Sequence, residues 1–356
     1  MVFVMKIYIV KPIQILMMVF FLVGCKTEKE EYFIKPDFTV ELNGNPLDIS
    51  VIGNTFIKSF NNKLLIRNTS DLEGLFTLYE TDSFKVVSKF GSLGQGPNEF
   101  TDPIWAAQTV GTTNNALAFN VHDIAKNTFV KVQLNSDNPE PRFDYHRKKL
   151  PNNLVDRVQK VVFDSDSLLI FQPEMVGRLV FHRKDKNENK IIPYKAITSF
   201  EIDKDAMWKY FDGYYAVNTD LGLVFSATAL LGQVDFYSLS GEHIVTLVYD
   251  DHNHKSKSVT GQTAGETNDI LNYANDVEAT KDFIYLLVHD RTQGDSRAMR
   301  FKDRSRVLKF DWGGRFLKEY KLDHFATSIA VNDAKSKLYA YNYFVEENYF
   351  YSYSLD

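Results

Sequence analysis

The chain has a single cysteine in 356 residues, so it can form no internal disulfide and no cysteine-based zinc site. Its stability has to come from the apolar core. It also lacks excess positive charge. Lys and Arg number 41 against 46 Asp and Glu, a formal net charge of −5. That argues against a nucleic-acid partner, which wants a net basic surface. Long amphipathic helical patterns are missing, and the one modest helical candidate lies near Asp203–Phe211. No Ser-His-Asp order and no His-Glu-x-x-His motif is present. Of the eight histidines only His252 and His254 form a close pair, and they sit in the polar stretch Asp250–Thr267, where solvated side chains are expected rather than a metal site. The expectation is no metal, no cofactor and no assigned catalytic residue.

The lone cysteine, Cys25, is placed informatively. It ends an uncharged apolar run, Pro12 to Gly24, that follows Lys6 and Lys11. A basic start and a short apolar stretch make a secretory signal, and the stretch is too short for a permanent membrane span. Leu22-Val23-Gly24-Cys25 reads as a lipobox, the bacterial lipoprotein signal in which the thiol takes a covalent lipid. Residues 1–24 are then a signal peptide starting at Met1 or Met5, Cys25 is the lipid attachment site, and residues 25–36 are a charged tether. Losing residues 1–24 removes Lys6 and Lys11 and moves the formal charge from −5 to −7. Electrostatic membrane binding is therefore disfavoured, and the lipid itself would hold the chain to the membrane.

Residues 37–356 are dominated by strand signals: apolar, aromatic and β-branched runs of four to eight residues between Asn, Asp and Gly turns. A short apolar triplet recurs six times, at Leu64–Ile66, Leu117–Phe119, Leu168–Ile170, Leu223–Phe225, Ile284–Leu286 and Leu338–Ala340. Spacings of roughly 50 to 60 residues indicate a repeat architecture. Four strands per repeat indicate an all-β six-bladed β-propeller with four-stranded blades. A two-domain sandwich is the alternative. The fifth repeat reads most clearly, as Ala274–Thr280, Phe283–His289, Arg306–Asp311 and Phe316–Lys321, with Asp311-Trp312-Gly313-Gly314 as its hairpin. The sixth runs out of chain before its outer strand. Phe38-Thr39-Val40-Glu41-Leu42 alternates correctly and is expected to complete that blade, closing the ring and removing exposed edges. The 28 Phe, 19 Tyr and 3 Trp are expected to pack between blades.

The segment Gly91-Ser92-Leu93-Gly94-Gln95-Gly96-Pro97-Asn98-Glu99-Phe100 resembles the glycine-rich "GxxGxGPxEF" stretch of TolB-like six-bladed propeller lipoproteins of Bacteroidetes. Asn275–Leu287 and Phe310-Asp311-Trp312-Gly313-Gly314 are similar to that family's late blades. The resemblance implies the fold and a cell-envelope location, and it assigns no activity. The acidic residues after Cys25 resemble the surface-export signals of such lipoproteins, so the implied address is the outer membrane, on its periplasmic or surface face. A phosphate-binding reading of the glycines fails on its context. Pro97 and a strand over Ile104–Val110 follow, where a phosphate loop needs a helix N-terminus. The segment reads instead as the connector between the first two blades, which places Asp102, Pro103 and Trp105 near the channel mouth.

Loop length points to the functional face. Connections within hairpins are short, whereas Gly91–Pro103, His146–Asp156, Lys195–Gly213, Asp250–Tyr273 and Asp290–Ser305 are long and fall on one face. Two of these are locally basic, one carrying Arg147 and Lys148, the other Arg291, Arg297 and Arg300 beside His289. With Trp105 these are the candidate ligand contacts, suited to an anionic ligand such as an acidic glycan. The functional expectation is a non-catalytic binding or scaffold lipoprotein that engages a glycan or an envelope protein. The alternative is a propeller enzyme acting on glycans or lactones, with or without a metal, with Asp276 and Glu278 on the fifth inner strand as candidate members of its site.

Overall fold

The computed structural model describes residues 30–35, 38–49, 51, 55–60, 62–71, 74–96, 99–105, 107–110, 116–135, 148–149, 158–173, 175–196, 202, 204–250, 271–292, 304–343 and 350–355. Six blades, each built on four antiparallel strands, follow one another along the chain. Blade one is Thr55–Phe60, Lys63–Asn68, Phe76–Glu80 and Val86–Phe90. Blade two is Pro103–Trp105, Ala116–Asp123, Thr128–Asn135 and the short Lys148–Lys149. Blade three is Val158–Asp164, Leu168–Pro173, Leu179–Arg183 and Glu188–Ile192. Blade four is Gly213–Asn218, Leu223–Thr228, Gly232–Ser238 and His243–Asp250. Blade five is Leu271–Ala279, Phe283–Thr292, Arg306–Asp311 and Phe316–Leu322. Blade six has Ser328–Asn332, Lys337–Tyr341 and Phe350–Ser354, and takes Asn45–Leu47 as its fourth strand.

The recurring triplets are the second strands of the blades. They read as solid apolar runs because both faces of each blade are covered. Leu64 and Ile66 pack with blade six, and Leu65 between them packs with blade two. Ile284 and Leu286 face blade four, whereas Tyr285 and Leu287 face blade six. This alternation yields six apolar clusters among the described residues, one between each neighbouring pair of blades around the ring. Trp312 seals the fifth hairpin by donating its indole N–H to the Thr280 carbonyl at 3.0 Å, and Gly314 beside it holds φ at +82°. The helical candidate becomes a 3₁₀ turn, Lys204–Ala206, running into the helix Met207–Phe211. It lies in the connection between blades three and four, and buries Tyr210 and Phe211.

Three N-terminal strands differ from the sequence expectation. An N-terminal segment does close the last blade, but it is Asn45–Leu47. Thr39–Leu42 instead adds a fifth strand to blade five, in parallel with Phe316–Leu322. The side chains explain the choice, since Leu42 and Val40 complete the cluster between blades five and six, and Thr39 Oγ1 donates to Glu319 Oε1 at 3.2 Å. Within the expected tether, Glu30–Phe33 is a strand paired in parallel with His243–Asp250 of blade four. Outer strands run from the hairpin face toward the long-loop face, and all three added strands run the same way.

The expected strand Ile104–Val110 is also divided. Pro103–Trp105 belongs to blade two, while Gln108–Val110 pairs in parallel with Gly213–Asn218 of blade four. The inner edge of a blade carries unpaired main-chain groups that face the channel. Gln108–Val110 pairs with those of blade four, so this strand lies inside the channel below Ala107.

Candidate functional site

Each inner strand begins at the long-loop face, and its first residues ring the channel mouth. A cavity of about 210 Å³ opens there. Blade one contributes Phe56, Lys58 and Arg67, and blade two contributes Ile104, Trp105 and Ala107. Lys160 comes from blade three, Tyr214 and Tyr215 from blade four, and Asp276 and Val277 from blade five. The wall is therefore aromatic with cations set into it.

Lys58 is buried and spans from blade one to blade five. Its Nζ donates to the Val277 carbonyl at 2.6 Å and lies 2.8 Å from Glu278 Oε2 and 3.6 Å from Asp276 Oδ1. Burial pulls its pKa down, and the two carboxylates more than reverse this, leaving it raised. Burial also pushes Glu278 up to about 7, against the opposing pull of Lys58. Asp276 is saturated: Oδ2 accepts from Ser328 Oγ at 2.5 Å and Ile329 N at 3.0 Å, and Oδ1 accepts from Val277 N at 2.8 Å.

The other two cations have no carboxylate in ion-pair contact among the described residues. Arg67 is 5 % exposed. One terminal nitrogen donates to the Pro103 carbonyl at 2.8 Å, the guanidinium lies 4.7 Å from the Phe56 ring centre, and Nε has no acceptor among the described residues. Burial is the main reason its pKa falls to about 10, with Asp102 and Asp276 opposing. Lys160 Nζ donates to the Gly213 carbonyl at 2.9 Å and sits 5.4 and 5.8 Å from the rings of Tyr214 and Tyr215. Burial lowers its pKa, again against Asp212 and Asp276.

Among the sequence candidates, Trp105 lines this cavity and stacks on Phe119 with ring centres 5.1 Å apart. His289 does not line it: it is 1 % exposed, with Nε2 2.7 Å from the Ala326 carbonyl and its ring against Phe325. Arg291 lies near the end of the second strand of blade five, opposite Asn272. Lys148 lies on the outer strand of blade two opposite Phe129, three strand spacings or about 14 Å from the channel edge, so its backbone is at the rim and not the mouth. Cys25, Arg147, Arg297 and Arg300 lie outside the described residues, as do His252 and His254. Among the described residues no three His, Cys, Asp or Glu side chains converge as a metal group would.

Lys58, Arg67 and Lys160 were not among the sequence candidates. The available signal was a cation inside an otherwise strand-like run: Phe56-Ile57-Lys58, Leu64-Leu65-Ile66-Arg67 and Lys160-Val161-Val162. A cation within a strand buried on both faces must find its partners inside the protein, and these three find theirs around the channel.

The glycine-rich connector has a different physical role. It wraps around the Lys126 ammonium, which donates to the carbonyls of Gly94 at 3.2 Å, Gly96 at 3.1 Å and Glu99 at 2.5 Å. Glu99 Oε2 accepts from Gly96 N at 2.6 Å, and a Cβ on Gly94 or Gly96 would fall 2.1 or 2.8 Å from that carboxylate. Phe100 anchors the end of the loop against Phe76. The loop turns its carbonyls inward to a cation, so phosphate has no cradle there. Lys126→Met is expected to cost about 2 kcal/mol, the scale of hydrogen bonds made by a charged donor, read as a lower urea midpoint.

Six blades around a channel, each built on four antiparallel strands, define a six-bladed β-propeller. The family model described as TolB-like 6-blade propeller-like matches residues 55–334, and the chain belongs to that family. Among solved structures it is similar to a DUF4221-family protein from Bacteroides vulgatus, at 14 % identity, with 88 % of this chain and 95 % of that chain covered and a TM-score of 0.53. A second similar structure, from Bacteroides fragilis, is 12 % identical, covers 91 % of this chain and 98 % of that one, and has a TM-score of 0.48. Likeness at this identity concerns the fold alone. No curated protein sequence matches the chain. No helix among the described residues is long and apolar enough to cross a membrane.

Proposed function

We propose that this is a lipid-anchored protein of the bacterial cell envelope that works by binding rather than by catalysis, receiving a glycan at the channel mouth on its long-loop face. The observation that supports this most is the aromatic-walled, cation-bearing cavity at the mouth. Flat rings suit sugar faces, and fixed donors set orientation. Cys25 supplies the anchor through its lipobox, and the acidic residues after it favour the outer membrane. Cys25→Ser is expected to move the protein from the membrane fraction to the soluble fraction, or to leave its signal uncleaved. Normal acylation of that variant, read by mass spectrometry, would contradict the anchor. Binding is tested by retention of the detergent-solubilised protein on immobilised envelope polysaccharides. A folded protein retained on none of them sinks the glycan reading, and a protein partner then becomes the better account.

A propeller enzyme acting on glycans or lactones is the second reading. It is favoured by Asp276 and Glu278, two carboxylates two residues apart on one inner strand, with Glu278 pushed up to about 7 by burial. Against it, Asp276 is saturated and Glu278 is held by Lys58. Turnover of any glycan that disappears in Glu278→Gln would restore it.

A further inference from the structure

We propose that the mouth cavity is a site for a small organic carboxylate carried on a single ring, with a terminal sugar acid the form that a glycan would present. The inference deepens the binding reading above and rests on it.

Charge comes first. Three cations, Lys58, Arg67 and Lys160, line the cavity against one lining carboxylate, Asp276. Asp276 has its acceptors filled from its own strand and from blade six, and Lys58 is engaged by Val277, Glu278 and Asp276. The cationic surplus therefore falls on Arg67 and Lys160, whose contacts are main-chain carbonyls and aromatic rings. Asp102, Asp212 and Asp276 act on these two groups without touching them, and a buried charge with no carboxylate in contact is held at a cost. An anion seated between these two groups would relieve that cost for both.

Geometry narrows the anion. Arg67 is nineteen-twentieths buried, its guanidinium is held by the Pro103 carbonyl and the Phe56 ring, and Nε has no acceptor among the described residues. A planar fork matches a carboxylate, which can accept two parallel N–H bonds. Lys160, two blades further round the ring, adds a point charge to the same cavity. Phe56, Trp105 and Tyr214 offer apolar faces beside these donors, so the rest of the ligand should be a ring. About 210 Å³ is below the usual range for drug-sized ligands, roughly 300–1,000 Å³, so one ring fits and a chain of them does not. Gln108–Val110 runs along the inner edge of blade four and narrows the channel below, which favours entry by the mouth.

The test is calorimetry on the detergent-solubilised full chain with glucuronate, glucose and inorganic phosphate. Glucuronate is expected to bind while glucose and phosphate do not. Lys160→Met and Arg67→Lys are each expected to weaken it about tenfold or more, the scale of one charged hydrogen bond. Thermal melts confirm that each variant is folded. Each side chain also holds a main-chain carbonyl, Pro103 for Arg67 and Gly213 for Lys160, so affinities are compared only for variants that melt as folded proteins. Equal binding of glucose and glucuronate overturns the anion site while leaving the glycan reading intact. Binding of phosphate alone overturns the carboxylate assignment. Retention on acidic polysaccharide that Lys160→Met does not change also overturns the inference, and moves the glycan contact elsewhere on the face.

Discussion

Arg178→Ala is expected to lower the unfolding free energy by about 3–5 kcal/mol, the cost of removing one partner from a buried ion pair. Arg178 is 2 % exposed and lies just before the third strand of blade three. It reaches into blade four, where it pairs with Asp235, donates from Nε to Ser226 Oγ at 3.0 Å, and donates to the Ser226 carbonyl at 2.9 Å. Its guanidinium also lies 5.1 Å from the Phe211 ring centre. The alanine variant leaves Asp235 buried beside Gln233 and Thr246 without its counter-charge. Urea titration at neutral pH reads the loss, and a change under 1 kcal/mol would show that the blades hold together without this pair.

The same pair sets an acid dependence. Burial alone would raise the Asp235 pKa, but Arg178 overrides it, helped by hydrogen bonds from His243, Thr246 and Gln233, and holds the carboxyl below its ordinary 3.8. The unfolded chain therefore takes up this proton at a higher pH than the folded one. The pair's stabilisation is complete above pH 3.8 and is lost as pH falls through the lower folded value. In Arg178→Ala that part of the acid limb is expected to disappear.

Gly213→Ala is expected to cost about 3 kcal/mol, at the upper end of overpacking effects. A Cβ there would lie 1.8 Å from the Ala227 carbonyl oxygen and 2.9 Å from its carbon. Both atoms belong to a paired strand that cannot swing aside, unlike the end of a flexible side chain. Gly213 opens the inner strand of blade four opposite Thr228, and its carbonyl accepts from Lys160. Relieving the clash means shifting the acceptor that positions Lys160, so the variant is expected to lose stability and ligand affinity together. A denaturation midpoint equal to that of the parent would mean that the strand start is looser than drawn.

The blades were legible in the sequence because burial on both faces writes itself into side-chain type. The triplets at Leu64, Leu168, Leu223, Ile284 and Leu338 fall in second strands, and the fifth blade's four strands lie within a few residues of expectation. The added strands were hidden because an outer edge recruits a neighbour through main-chain groups that every residue carries. Alternation in Thr39–Leu42 identifies a strand but cannot name its partner. Gln108–Val110 was hidden for the same reason, on an inner edge. For the candidate site, loop length led to the face toward which the cavity and Trp105 lie, whereas a count of basic residues in loops led to Lys148 on an outer strand and to residues outside the described ones. The cations at the mouth stand singly on strands, where the informative signal is one polar residue in an apolar run.

The order in which the N-terminal strands are laid down also fixes a posture. Glu30 pairs with Val245, close to where the outer strand of blade four leaves the hairpin face. Cys25 precedes Glu30 by five positions, a leash of at most about 17 Å when fully stretched. Were the proposed lipid on that cysteine, the bilayer would lie nearer the hairpin face, and the mouth would open away from the membrane. Whatever enters the mouth would then come from the aqueous side, and a lipid headgroup in the anchoring leaflet would be out of its reach.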